Sequence, residues 1–222
     1  DSSAPSHPTA HVEDGATIGP DCQVGAFALI GADVVLGRGV EVKSHAVITG
    51  HTEVGDETVI FSFAVIGEVP QDLKFKGEQS RLVIGMRNRI REHVTMNAGT
   101  EGGGGVTRIG DDGLFMAGCH VAHDAQIGNH VILVNNSAVA GHCVLEDNVI
   151  VGGGVIGCSI LYHLAKLGWT DSVLIERDEL TSGSTWHAAA NIHGLHDNTN
   201  ITRIQNYTMG LYKELEAETG QG

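Results

Sequence analysis

The sequence predicts an all-β parallel β-helix of about seven coils, followed by a partial α/β, Rossmann-like segment. Three observations carry this. An apolar residue recurs every six positions through the first two-thirds of the 222 residues. The rhythm stops at residue 157, where the apolar spacing becomes helical. A G-x-G-x-x-G sequence, Gly152, Gly154 and Gly157, stands at the change.

The hexads begin at Val12, Ile18, Val24 and Ile30 and run to Ile66. They resume at Ile84, Ile90 and Met96, then run from Ile109 through Phe115, Val121 and Ile127 to Val151. That makes ten, three and eight hexads, 21 in all. A period of six fits neither an amphipathic helix nor an alternating strand. It fits short strands joined by tight turns, with one apolar side chain per hexad pointing into a prism. Three hexads close one coil, so residues eighteen apart stack and stability comes from neighbouring coils. The interruptions at 67–83 and 97–108 are expected to leave the prism as surface loops, where function concentrates on repeat scaffolds. Beyond Val151, Ile156, Ile160, Leu161, Leu164 and Leu167 fall at helix spacing, with Gly168 as the stop. "SVLIE" (172–176) reads as a strand, and 200–218 as a further helix with Ile204, Met209, Leu211 and Leu215 as its apolar members. The expected domains are 1–151, the solenoid, and 152–222, a partial βαβ fragment. The solenoid is expected to own 148–151, with the helix at 155–167 capping the open end of the prism.

Composition narrows the function. Aromatics are 5% and glycines number 31, well above a typical share of about 7%; both suit a thin core with many turns. A net charge of −14 argues against binding nucleic acid through its phosphates. No apolar run reaches membrane-spanning length, and no signal peptide is visible. Cys22, Cys119, Cys143 and Cys158 lack paired or metal-type spacing, so reduced, cytoplasmic thiols are expected.

The chemistry-bearing stretch is 118–148. Gly141 follows His123 by eighteen residues, one coil away on the same edge. An imidazole can take a proton from an attacking hydroxyl. A glycine N–H can hold the resulting oxyanion and permits close approach. Asp124 is placed to orient the imidazole, and His142 follows Asp124 by eighteen. Surface histidines in solenoid turns are the alternative reading of the same spacing. His120 and His123 find no thiolate or carboxylate cluster to complete a metal site, so no metal is expected.

"IGEVPQDLKFKGEQSRLVIGMRNRIREHVTMNAGT", "HVAHD" and "NNSAVAGH" resemble the acyl-ACP–UDP-N-acetylglucosamine O-acyltransferases of lipid A biosynthesis, over residues 7–153. The resemblance implies a left-handed helix and a cytoplasmic homotrimer with active sites between subunits. It implies acyl carrier protein as donor, UDP-N-acetylglucosamine or its 3-amino analogue as acceptor, and no cofactor. His123 would be the general base and Gly141 the oxyanion donor. Asp72 and Lys74 would hold the sugar nucleotide, and His120 and His142 would line the site. Asn97 stands where many members carry His, which leaves the sugar preference open. The family continues past 153 with further coils and a helical domain, so this chain is expected to be impaired as an acyltransferase.

The G-x-G-x-x-G follows a strand and opens a helix, and Glu176 lies nineteen residues beyond Gly157. In a dinucleotide-binding unit the glycines admit a pyrophosphate and the acid holds ribose hydroxyls. "TSGSTWHAA" and its surroundings resemble the N-terminal FAD-binding region of sarcosine and dimethylglycine dehydrogenases, from about 149 to the end. That resemblance implies FAD, with His187 as the covalent attachment point. One βαβ unit is not expected to build an FAD pocket, because a parallel sheet needs several strands covered on both faces. The chain thus reads as a chimera joined at 150–155; recombination, an engineered fusion and an assembly error all produce that pattern. Three functions follow from it: acyl transfer, a fragment of a flavin-dependent amine dehydrogenase, or an inactive trimeric solenoid.

Overall fold

Each hexad forms one short strand and one tight corner. A computed structural model describes residues 6–182, 185 and 198–220. Three parallel sheets form the walls of a prism, and each takes one strand per coil. Every solenoid wall has seven strands, so there are seven coils. The register follows the eighteen-residue spacing: Ile30 pairs with Ile48 and Ile127 with Leu145.

Two positions per hexad face inward. The anchors of the rhythm are buried from Val24 to Val139. Two residues before most anchors sits a smaller side chain, and at Ala28, Val34, Ala46, Cys119 and Ala125 it is fully buried. Three residues before most anchors the backbone turns through the left-handed region, as at Phe27, His45, Phe63 and His93, with φ from 58° to 64°. Such conformations cost about 1–3 kcal/mol each at non-glycine residues, and stacking offsets part of that cost. The four rings run along one corner with centroids 5.1 to 5.2 Å apart. Val12, Ile18, Leu145 and Val151 lie at the ends of the stack and are only half-buried.

The loops are shorter than the sequence predicts. The strands Val65–Glu68 and Arg81–Ile84 keep 67–68 and 81–83 in the ladder, leaving 69–80 outside. Likewise Thr95–Asn97 and Val106–Ile109 leave only 98–105. The cause is backbone pairing. Arg81 faces His51 on one side and Val106 on the other, so leaving earlier would orphan peptide groups.

Val149–Val151 is the last rung, paired with Ile132–Leu133 of the preceding coil. Its other edge pairs in parallel with Val173–Ile175. Helix α1 (Val155–Lys166) connects the two strands and ends at Gly168, whose φ is +92°. The expectation that α1 caps the open end of the prism is corrected. Ile150 points outward between the inward-facing Val149 and Val151, yet it is 1% exposed. A shallow cavity beside it is lined by Leu114, Ile132 and Ile150 together with Leu164 and Trp169. Helix α1 therefore lies on the outer face of the wall. The outward column there is apolar (Leu114, Ile132, Ile150, Leu174), which gives the helix a surface to dock on. Ile160, Leu161 and Leu164 are half-buried, while Ile156 and Leu167 remain exposed. The inner face of the added strand is open, with Val173 and Ile175 exposed.

The chain divides into two compact units, 1–182 and 183–222. In the second, α2 (Thr199–Thr219) covers the predicted helix and one residue more at each end. Asn198 caps its N-terminus by accepting from the amides of Asn200 and Ile201. No described residue of α2 is buried. No described helix is long and apolar enough to cross a membrane.

Candidate functional site

His123 and Asp124 occupy the corner before the strand Gln126–Ile127, and Gly141 and His142 occupy the same corner one coil on. The His142 amide donates to the His123 carbonyl at 3.1 Å, which locks the coils in register. Asp124 and His142 both have φ of 60°. The left-handed corner turns their side chains toward one another across the coil step.

The Asp124 carboxylate is almost wholly buried, at 1% exposure. Its Oδ1 accepts from the Thr100 amide at 2.8 Å, and its Oδ2 accepts from the Thr100 hydroxyl at 2.6 Å. Oδ2 also lies 2.9 Å from His123 Nδ1 and 3.7 Å from His142 Nδ1. Burial pushes the Asp124 carboxyl upward, but the Thr100 hydroxyl, His123, the Thr100 amide and His142 together hold it below the usual carboxylate range. An ionised carboxylate only accepts, so Nδ1 of His123 is the donor, and in the neutral ring Nε2 is the nitrogen left with the lone pair. Nε2 faces Gly141: a Cβ built there would lie 2.8 Å from it and 2.7 Å from Cε1. Among the described residues, no acceptor takes the Gly141 amide hydrogen. The His123 and His142 rings meet edge to face at 5.0 Å.

The predicted site residues separate into groups. His123, Asp124, Gly141 and His142 come together. His120 stands on the strand His120–Val121 with Nδ1 2.7 Å from the Thr95 hydroxyl, and desolvation lowers its pKa. Asp72 and Lys74 stand on the first loop, where Asp72 accepts from the Lys74 amide at 2.9 Å. His123, Asp124 and His142 also hold their ligand atoms within 4.8 Å of one another. Two imidazoles and a carboxylate are a set that open zinc sites use, but here both carboxylate oxygens already accept hydrogen bonds, from the Thr100 amide and hydroxyl and from His123.

Sequence reasoning missed Thr100, Thr107 and Gly103. The Thr107 hydroxyl accepts from the Asp124 amide at 2.8 Å, and its coil spacing from Ala125 was a usable signal. Thr100 lies in a loop outside the register, so no period points to it. Gly103 is required because a Cβ there would overlap the Asp124 carboxylate.

At the junction, the Gly153 amide donates to Glu176 Oε2 at 2.6 Å, joining the glycine turn to the end of the second strand. The acid thereby stays ionised; backbone donors from Gly153 and Arg177 lower its pKa. Gly157 admits no Cβ, since one would overlap the Gly152 carbonyl. Gly154 caps the start of α1. These are the residues that the sequence marks as the phosphate turn and ribose acid of a dinucleotide-binding unit. The strand edge that would carry the rest of a flavin sheet is taken by Ile132–Leu133 of the solenoid. His187 lies outside the described residues.

Comparison with known proteins separates the same two segments. Over 95 residues the chain is 82% identical to the acyl-[acyl-carrier-protein]–UDP-N-acetylglucosamine O-acyltransferase of Paracoccus denitrificans (strain Pd 1222). The solenoid is similar to UDP-N-acetylglucosamine acyltransferases. The Paracoccus match spans 43% of this chain and 36% of that enzyme. A crystal structure of UDP-N-acetylglucosamine acyltransferase superposes with TM-score 0.67 at 47% identity, over 68% of this chain and 58% of the other. The Campylobacter jejuni acyltransferase gives 0.64 at 44% identity, over 67% and 58%. The chain thus spans less than three-fifths of the length of these acyltransferases. A bacterial transferase hexapeptide (six repeats) profile matches 15–50, and an FAD dependent oxidoreductase profile matches 147–222.

Proposed function

We propose that the solenoid is built for acyl transfer from acyl carrier protein to the 3-hydroxyl of UDP-N-acetylglucosamine, the first step of lipid A biosynthesis. The observation that carries this is His123, held by Asp124, with Nε2 turned to the bare backbone of Gly141. The sugar hydroxyl attacks the carrier's thioester carbonyl while Nε2 takes its proton. The Gly141 N–H donates to the developing oxyanion. Collapse breaks the carbon–sulfur bond, and the proton on Nε2 passes to the departing thiolate. Asp72 and Lys74 hold the sugar nucleotide, His120 and His142 line the acyl and sugar approaches, and Asn97 bears on the choice between the 3-hydroxyl and a 3-amino sugar. Similarity to the enzymes above supports the acyl-transfer reading, and the resemblance implies a cytoplasmic homotrimer that needs no cofactor.

We infer that the coils are left-handed. The chain steps from Ile132–Leu133 to Val149–Val151 around the inside of the prism, and from there to Val173–Ile175 through α1 on the outside. Both steps run the same way across one sheet, so they have opposite hand. Helical crossovers are right-handed in about 98% of cases, which makes the coils left-handed.

The test is acyl transfer by this chain with acyl carrier protein and UDP-N-acetylglucosamine. Turnover in the wild type, lost in His123→Ala, is expected. Wild-type activity that survives His123→Ala overturns the assignment; a trimeric native mass without turnover leaves the inactive-solenoid reading. A second reading rests on the Gly153–Glu176 contact and the oxidoreductase match: residues 152–222 derive from an FAD-dependent amine dehydrogenase. FAD supplies hydride acceptance when bound; here Gly152, Gly154, Gly157 and Glu176 would hold its diphosphate and ribose, and His187 its ring. Retention of yellow colour by the denatured protein, lost in His187→Ala, checks it.

A further inference from the structure

Asp124 is the most buried charge in the site, and one residue supplies two of the three hydrogen bonds to its carboxylate. Thr100 lies 24 positions earlier, on the loop 98–105 that leaves the prism. That loop is tied down on both sides. The Gly99 amide donates to the Arg81 carbonyl at 3.2 Å, and the Arg81 amide to the Gly105 carbonyl at 2.8 Å. The Thr100 carbonyl itself accepts from the amides of Gly103 at 3.0 Å and Gly105 at 2.7 Å. Its hydroxyl is therefore held on a nearly rigid arm, closed over a carboxylate it keeps from water.

Two histidines compete for the same carboxylate oxygen. His123 Nδ1 lies 2.9 Å from Oδ2, and the more exposed His142 Nδ1 lies 3.7 Å away. A small rotation of the carboxylate would exchange them. The Thr100 amide and hydroxyl grip different oxygens, which removes that rotation.

We propose that Thr100 is a positioning residue: it clamps the Asp124 carboxylate onto His123 rather than His142, so that His123 keeps its Nδ1 proton and presents Nε2 toward Gly141. The proposal rests on the acyl-transfer reading of this site.

Thr100→Val keeps the amide and the shape but removes the hydroxyl; Thr100→Ser restores a hydroxyl. Two readouts are taken on the full chain. In the first, Val lowers kcat by about tenfold to a hundredfold, the scale of a misplaced reacting group. KM changes little, and Ser keeps most of the turnover. In the second, the hydrogen-bonded Nδ1–H proton of His123 is followed by NMR and assigned by its loss in His123→Gln. It is expected in the wild type and in Ser. In Val it is lost to exchange, while the ring nitrogens of His142 shift. A Val variant that retains both wild-type kcat and the His123 signal overturns the proposal. So does a Ser variant as defective as Val in both readouts. If no form transfers acyl groups but the signal still follows the Thr100 hydroxyl, the acyl-transfer reading fails and the clamp stands.

Discussion

Asp124 ties the chemistry of the site to the stability of the corner that carries it. Its folded carboxyl is held below the ordinary value, so the folded state favours its charged form. The stabilisation is present above the unfolded pKa of about 3.9 and is lost as pH falls through the lower folded value. Comparing urea midpoints of the wild type and Asp124→Asn, the gap at pH 7 is expected to shrink towards pH 3; a constant gap would mean the charge contributes nothing. Gly141 gives a complementary expectation. Gly141→Ala places a methyl 2.7 to 2.8 Å from the His123 ring, so the imidazole has to move. Overpacking of this kind costs about 1–3 kcal/mol, and a displacement near 1 Å about a hundredfold in rate. The expected result is a folded protein with a modestly lowered midpoint and nearly abolished turnover, measured by urea unfolding and acyl transfer on one preparation.

At the scale of elements, the junction depends on an apolar outer wall. Over the first four coils the outward column reads Gln23, Glu41, Val59 and Arg89, but over the last three it is wholly apolar, with Leu114, Ile132 and Ile150. Helix α1 docks there, and its first turn approaches the Gly152 carbonyl closely enough that only glycine fits at 157. Ile150→Ala is expected to cost about 2–5 kcal/mol as a buried large-to-small change. The loss should be local: amide exchange speeds up in 155–166 and 173–175, while the amides of coils one to five keep their protection. Uniform loss throughout the solenoid would show the docking to be coupled to every coil. The sequence contained much of this. The anchor rhythm gave the walls, the coil count and the His123–Gly141 register, because a stacked repeat turns sequence distance directly into spatial distance. The glycines and Glu176 gave the βαβ turn for the same local reason. Three features escaped. The smaller inward position two residues before each anchor mixes Ala, Val, Cys, Thr and Asn, which no hydrophobicity pattern separates. Thr100 sits in a loop outside the register. The side of the wall taken by α1 is decided by the outward column, whose residues lie between the anchors the rhythm marks.

At the scale of the whole molecule, the chain carries two kinds of stability. In the solenoid each coil is held by its neighbours through ladders and a continuous interior, so protection is shared along 10–150. The last wall is extended by Val173–Ile175 and covered by α1, and this carries the first compact unit to Ser182. The second unit, 183–222, contains α2, a well-capped helix with no buried residue. None of its residues is fully buried and its apolar members Leu211 and Leu215 are only half-buried, so it draws less on packing than a coil does. Opening of α2 is therefore expected to precede opening of any coil, and a protease should first cut beyond Ser182. Limited proteolysis with a broad-specificity enzyme, followed by intact-mass analysis, reads this directly. A persistent fragment ending close to 182 is the expected product, and it should retain the parallel-sheet circular dichroism of the full chain. Early cuts within 10–150 would mean that the coils open as readily as α2 does. Cuts between 152 and 172 ahead of those beyond 182 would mean that the outer-wall docking of α1, rather than the second unit, is the weakest joint in the chain.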